Sequence, residues 1–201
     1  MKIIHISDTH GKHRELGAMP DGDVLVHSGD FSFAGSDNEA LDFLNWFCDQ
    51  PHKHKIFVAG NHDVAMWDAN IEGLPSNVHF LSDSGVRIEG KLFYGAPMQM
   101  GVKNGKLSVV ENYDLIPKGV DVLITHQPPM GILDLDSAGR HFGSTKLLEK
   151  VTELKPKLHL FGHVHNAYGT KVWKNIAFVN GSVVNDHYSL MAERPTQVIE
   201  I

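Results

Sequence analysis

Cysteine is almost missing from this chain: Cys48 is the only one among 201 residues. A single thiol cannot form an internal disulfide or build a thiolate metal site, and it fits a reducing compartment. Basic residues are outnumbered, 18 Lys and Arg against 24 Asp and Glu, for a formal charge of −6. That balance gives no general attraction to nucleic acid or to an anionic membrane. No apolar run approaches membrane-spanning length, and the opening MKIIHIS, broken by His5, is too short for a secretory signal. A soluble, cytoplasmic protein is expected, with no membrane partner. There is no low-complexity tract, repeat or linker. With 42% apolar residues the chain can bury an ordinary core, so one domain over 1–201 is expected.

Histidine, in contrast, is abundant, at 14 residues. Short apolar runs at 2–7, 23–28, 55–60, 121–126 and 157–162 read as buried strands. Between them, Ser36-Asp37-Asn38-Glu39 is a capping box ahead of Leu41, Leu44, Phe47 and Cys48 at helical spacing. Thr145 to Leu154 reads as a second helix. Hairpins are expected to turn at Glu89-Gly90 and Lys174-Asn175, and TQVIEI reads as a last strand. Strand and helix alternate first and hairpins come later. The fold class is therefore α/β, with two stacked mixed β-sheets flanked by helices in an αββα sandwich.

The residues that end the five strand-like runs belong to one chemical menu. They are Asp8-Thr9-His10, Asp30, Asn61-His62-Asp63, His126 and His163-Val164-His165. In open α/β sheets, ligands bind beyond the carboxyl ends of the strands. One Asp or His in such a loop is ordinary turn chemistry, but five loops drawing on the same residue types point to a metal site. Carboxylate, amide oxygen and imidazole suit Mn, Fe, Zn, Ni or Co, and there are too many nitrogens for calcium. In extended chain, Asp8 with His10 and His163 with His165 can each converge on one region.

In order, these residues resemble the calcineurin-like metallophosphoesterase superfamily, whose pattern runs D-x-H, G-D, G-N-H-D/E, a later His, and G-H-x-H. Here they read Asp8-Thr9-His10, Gly29-Asp30, Gly60-Asn61-His62-Asp63, His126 and Gly162-His163-Val164-His165. More locally, DVLITHQPPMGILD and the stretch from Arg140 to Gly169 are similar to the small metallophosphoesterase-domain phosphodiesterase branch. Gln127 and Asn166 depart from that branch. The resemblance implies two divalent ions. Asp8, His10, Asp30 and His165 would hold one, and Asp30, Asn61, His126 and His163 the other. It also implies a phosphodiesterase or phosphatase in which metal-activated hydroxide attacks the phosphorus of a small phosphoester or nucleotide. His62 matches the family's catalytic histidine, and Asp63 is expected to orient it. With only two carboxylates in the set, two divalent ions would leave about two positive charges for an anionic substrate.

Arg140, His141 and Tyr168 are expected to face the substrate, and residues 97–108 to form part of the rim. His52 and His54, flanking a turn with Lys53 and Lys55, are expected in solvent, and His5, His27 and His159 as packed, supporting or surface groups rather than ligands. The alternatives within reach are a nuclease of the same superfamily and a metal-binding scaffold without catalysis. The acidic balance disfavours the first, and the complete ligand set disfavours the second.

Overall fold

The computed structural model describes residues 1–67 and 69–201. Its elements in chain order are β1 (Lys2–Ile6), β2 (Val24–His27), α1 (Asp37–Cys48), β3 (His54–Phe57), β4 (Val78–Phe80), β5 (Ser84–Ile88) and β6 (Lys91–Ala96). There follow β7 (Met100–Lys103), β8 (Lys106–Val109), β9 (Val122–Thr125), α2 (Thr145–Leu154), β10 (Leu158–Phe161), β11 (Gly169–Trp173), β12 (Ile176–Asn180) and β13 (Gln197–Glu200). One sheet runs β13-β1-β2-β3-β4, parallel except at β13. The other runs β11-β12-β10-β9-β6-β5, with a parallel centre and antiparallel edges.

Alternation along the central strands sorts their side chains into layers. Val24 and Val26 of β2 join Ile3, Ile56, Val122, Ile124, Leu158 and Leu160 between the sheets. Leu25 points the other way, with Ile4 and Ile6, into a layer closed by Phe43 and Phe47 of α1. Leu147 and Val151 of α2 cover Leu123, Phe161 and Phe178 on the outer face of the second sheet. The αββα sandwich follows from these three apolar layers.

Local signals place the elements. Ser36 accepts the Glu39 amide while the Glu39 carboxylate accepts the Ser36 amide, which starts α1. The buried face of α1 is Ala40, Phe43, Trp46 and Phe47, and Leu41 is exposed; the helix is rotated from the expected stripe because Phe43 stacks on Phe31 at 4.0 Å. Both hairpin turns form as expected: Glu89-Gly90 and Lys174-Asn175 each have two positive φ values, matching the twist of the flanking strands. His52 corrects the expectation of solvent exposure, because it is buried, while His54 is half-buried. The buried Lys55 ammonium donates to the carbonyls of Cys48 and Gln50, at 2.7 Å each, at the end of α1. Among the described residues, no helix is long and apolar enough to cross a membrane.

Candidate metal centre

The loops beyond the carboxyl ends of β1, β2 and β3 deliver Asp8, His10, Asp30, Asn61 and His62. Those beyond β9 and β10 of the other sheet deliver His126, His163 and His165. The two sheets meet here, where the Ser7 amide donates to the Gly181 carbonyl and Ser7 bridges Ser182. The loop after β1 lies against that after β2, with amides of Asp8, His10 and Gly11 donating to carbonyls of Gly29, Asp30 and Phe31. Side chains distant in sequence thereby converge. Asp8, His10 and His165 form one group of mutually close donor atoms, and Asp30, His126 and His163 another. His62 approaches His10 and Asp30 in a third.

The glycines before these residues permit the approach. A Cβ on Gly162 would lie 2.0 Å from Ser7 Oγ and 2.1 Å from Asp8 Oδ2, and one on Gly60 would lie 2.1 Å from Asp30 Oδ1. Asp8, His10, Asp30 and His163 all adopt positive φ. Non-glycine residues avoid that region unless the surrounding structure enforces it, and such strain gathers at functional sites.

The imidazoles are oriented from behind. Nδ1 of His10 donates to the Ser32 carbonyl at 3.1 Å, that of His126 to Ser28 at 2.9 Å, and that of His165 to Asn185 at 3.0 Å. A carbonyl only accepts, so each Nδ1 carries the proton and each Nε2 presents a lone pair inward. The Nε2 atoms of His10 and His165 lie only 3.2 Å apart. His126 Nε2 lies 3.1 Å from Asp30 Oδ2 but off the line of a hydrogen bond, so it is buried without a hydrogen-bond partner, as is Asn61 Oδ1. Facing lone pairs and orphaned buried donor atoms suit a cation, so the residues present fit divalent metal ions.

The electrostatics agree. Burial would raise the Asp8 carboxyl, but His165, His126 and His10 hold it well below the usual carboxylate range. Asp30 is likewise opposed by burial yet drawn down to about 2 by His126. Burial disfavours a charged His126, but Asp30 and Asp8 push it up to about 9. A proton on His126 thus occupies the place where a cation would compensate the two carboxylates. Burial lowers His10 and His163 to about 4, which keeps them neutral as ligands must be.

Several expected roles are corrected. Asp63 does not reach the His62 ring, whose Nδ1 donates instead to the Phe33 carbonyl at 2.7 Å. The buried Asp63 carboxylate accepts the amides of Asp30, Ser32 and Gly60 and the Ser32 hydroxyl. It pins the Asp30 loop to the Asn61 loop. Tyr168 lies off the cleft because its hydroxyl donates to the Pro195 carbonyl at 2.7 Å. His141 is held by buried Asp134 at 2.9 Å and does not line the cavity beside the histidines. Arg140 does line it, with its guanidinium paired to Asp136 at 2.7 Å and lying over Phe142. Residues 97–108 contribute most of the β7–β8 hairpin, and none of their described side chains lines the cavity.

Other residues at the site went unsuspected in the sequence. Asn180 donates to the Val164 carbonyl at 3.0 Å, and Arg194 to the carbonyls of His165 and Val184, so both steady the His163–His165 loop. Gln127 and Asn166, marked in the sequence as departures from the resembling branch, support the cleft wall by donating to the Phe142 carbonyl and to Asp186. Tyr188 lines the cavity beside His163 and His165. The only signal of this segment in the sequence is the turn-forming Asn185-Asp186, which gives no hint of its neighbours.

Comparison with known proteins follows the same outline. A family model described as calcineurin-like phosphoesterase matches residues 1–167. Human metallophosphoesterase domain-containing protein 1 is 34% identical over 93% of this chain and 67% of its own length. A UPF0046 protein of Caenorhabditis elegans is 36% identical over 93% of this chain and 76% of its own length. Among solved structures, TT1561 of Thermus thermophilus superposes with a TM-score of 0.62 at 16% identity, covering 99% of this chain and 98% of that one. This last likeness speaks to the fold.

Proposed function

This chain belongs to the calcineurin-like phosphoesterase family, and from that premise we propose that it is a dinuclear metal-dependent hydrolase of small phosphoesters, phosphodiesters foremost. The observation that carries this reading is the arrangement of His10 and His165. Both are fixed in the Nδ1–H form and aim bare Nε2 atoms at one another 3.2 Å apart, against the Asp8 carboxylate. Only a shared cation or proton makes that pairing favourable. In this proposal Asp8, His10, Asp30 and His165 hold one divalent ion, and Asp30, Asn61, His126 and His163 the other.

Bound there, two divalent ions supply Lewis acidity, lowering the pKa of water and neutralising phosphate charge. The protein's own groups do the rest. Ser32, Ser28 and Asn185 hold the three imidazoles in the donor tautomer through their carbonyls. Asp63 fixes the Asp30 and Asn61 loops to each other. His62 is set by Phe33 so that Nε2 is free for substrate, where its protonated form gives a proton to the departing alcohol oxygen. The chain acts as one unit over 1–201, because Asn180, Asn185 and Arg194 beyond the family match also position the centre. A reducing, cytoplasmic setting suits the lone Cys48.

The test is hydrolysis of bis-p-nitrophenyl phosphate and p-nitrophenyl phosphate by chelator-stripped protein, with Mn²⁺, Fe²⁺, Zn²⁺, Ni²⁺ or Co²⁺ restored singly. Turnover that returns with metal, favours the diester and is abolished by His126→Ala is the expected result. Undiminished turnover in stripped protein would reject the metal requirement.

A further inference from the structure

Tyr188 is the least expected residue at the centre. Its ring centroid lies 4.8 Å from His10, 5.4 Å from His165 and 6.1 Å from His62. Phe33 meets it edge-on at 5.1 Å and also flanks His10 and His62. Tyr188 has φ 57, a backbone region that bulky side chains avoid. Tyr188 is the last loop residue of a short hairpin, in which the Asn185 amide donates to the Ser189 carbonyl and Val184 bridges Leu190. A left-handed residue belongs at that position, but it is usually glycine. The Tyr188 amide donates to the Asn185 carbonyl that also holds His165, and Asn185 Oδ1 accepts the amides of His187 and Ser189. Asp186 is bound to Ser137 and Asn166, and Arg194 ties Val184 to His165.

A tyrosine where glycine is usual, held firmly beside the site, invites a functional reason, and the surroundings supply one. Phe33, packed on Tyr188 outside the cavity lining, is 52% exposed, and Phe142, which lines the cavity, 42%. Apolar rings left in contact with water beside a charged centre are available to a ligand's own ring. The cavity, about 300 Å³, is at the lower end of ligand-site sizes and suits a phosphate bearing one ring-sized group.

Resting on the phosphohydrolase reading above, the geometry points to Tyr188 as a specificity residue. With Phe33 it forms an aromatic wall beside His62 that selects phosphoesters whose departing group carries a planar ring. The ring of Tyr188 supplies the contact by edge or face packing, and its hydroxyl is dispensable for it.

Unreactive phosphonates test this without turnover. Phenylphosphonate and methylphosphonate are titrated calorimetrically into manganese-loaded wild type, Tyr188→Ala, Tyr188→Phe and Phe33→Ala, each checked for metal content and melting temperature. Wild type is expected to bind the phenyl compound roughly tenfold more tightly, the worth of a good aromatic contact. That ratio collapses toward one in Tyr188→Ala, shrinks in Phe33→Ala, which carries no strained backbone, and persists in Tyr188→Phe. A wild-type ratio of one, a ratio surviving in Tyr188→Ala, or an equal collapse in Tyr188→Phe overturns the inference. Hydrolysis of bis-p-nitrophenyl phosphate by wild type without any phenyl preference defeats this inference alone. Absence of both hydrolysis and phosphonate binding defeats the phosphohydrolase reading itself.

Discussion

A histidine's function here is set by what its second nitrogen touches. His10, His126 and His165 each spend Nδ1 on a carbonyl and so aim Nε2 at the centre. His62 shows the same device with Phe33, yet it is half-buried and faces the cleft, where a proton donor belongs. His62→Ala is therefore expected to keep its metals, counted by elemental analysis, while kcat falls about 10²–10⁴-fold, the usual worth of a positioned acid. Loss of metal together with activity would instead make His62 a ligand. The proposal of this role comes from its place in Gly60-Asn61-His62-Asp63. The role of Asp63 was not, because nothing in sequence order reveals that its carboxylate faces the amides of Asp30 and Ser32 about thirty residues upstream.

Among the elements, the loops matter more than the strands that present them. β10 ends at Phe161, and Gly162 then brings the chain against Ser7 and Asp8, where the His163 amide donates to both Asp8 oxygens at 3.0 and 3.1 Å. A methyl group there has no room. Gly162→Ala is expected to cost about 1–3 kcal/mol in denaturant unfolding, as overpacking does, with a larger loss in metal affinity. Unchanged affinity would show that the loop can yield without moving Asp8 or His163. The glycine was visible in the sequence as the end of an apolar run. Its partner across the sheets was not, since Ser7 and Gly162 are brought together only when two separate sheets stack.

The molecule as a whole keeps a neutral histidine in each of its three layers. His5 lies on the same face of β1 as Ile3, toward the opposing sheet, His27 lies against Phe31 and Phe43 under α1, and His159 lies against Phe161 and Phe178 under α2. All three are fully buried and paired with the hydroxyls of Ser28, Thr9 and Thr125. Burial drives His5 and His159 down to about 3 and His27 well below its ordinary value. At His5 and His159 the unfolded chain takes up protons near pH 6.5 and the folded one does not until about pH 3. Stability from this source is thus complete above pH 6.5 and is lost as pH falls toward 3, by at most ~1.4 kcal/mol per pH unit for each group. Melting temperature measured from pH 7 to 4 should fall, and His159→Gln should flatten the slope. A variant with the wild-type slope would show that His159 titrates normally in the folded protein.

Chain order carried whatever was local or periodic. Alternating apolar runs named the strands, Ser36 and Glu39 started α1, paired turn residues set two hairpins, and the order of Asp, Asn and His after five strands marked the centre. Each of these signals acts over a few residues, so the bare sequence preserves it. Contacts between remote segments were left to the packed molecule. They turned Tyr168 toward Pro195, tied His141 to Asp134, rotated α1 so that Phe43 met Phe31, and carried the 185–194 segment over His165 with Tyr188 in a strained conformation. Turn chemistry at Asn185 could announce that the chain bends there. Which histidines lay beneath the bend was fixed only when the two sheets packed face to face.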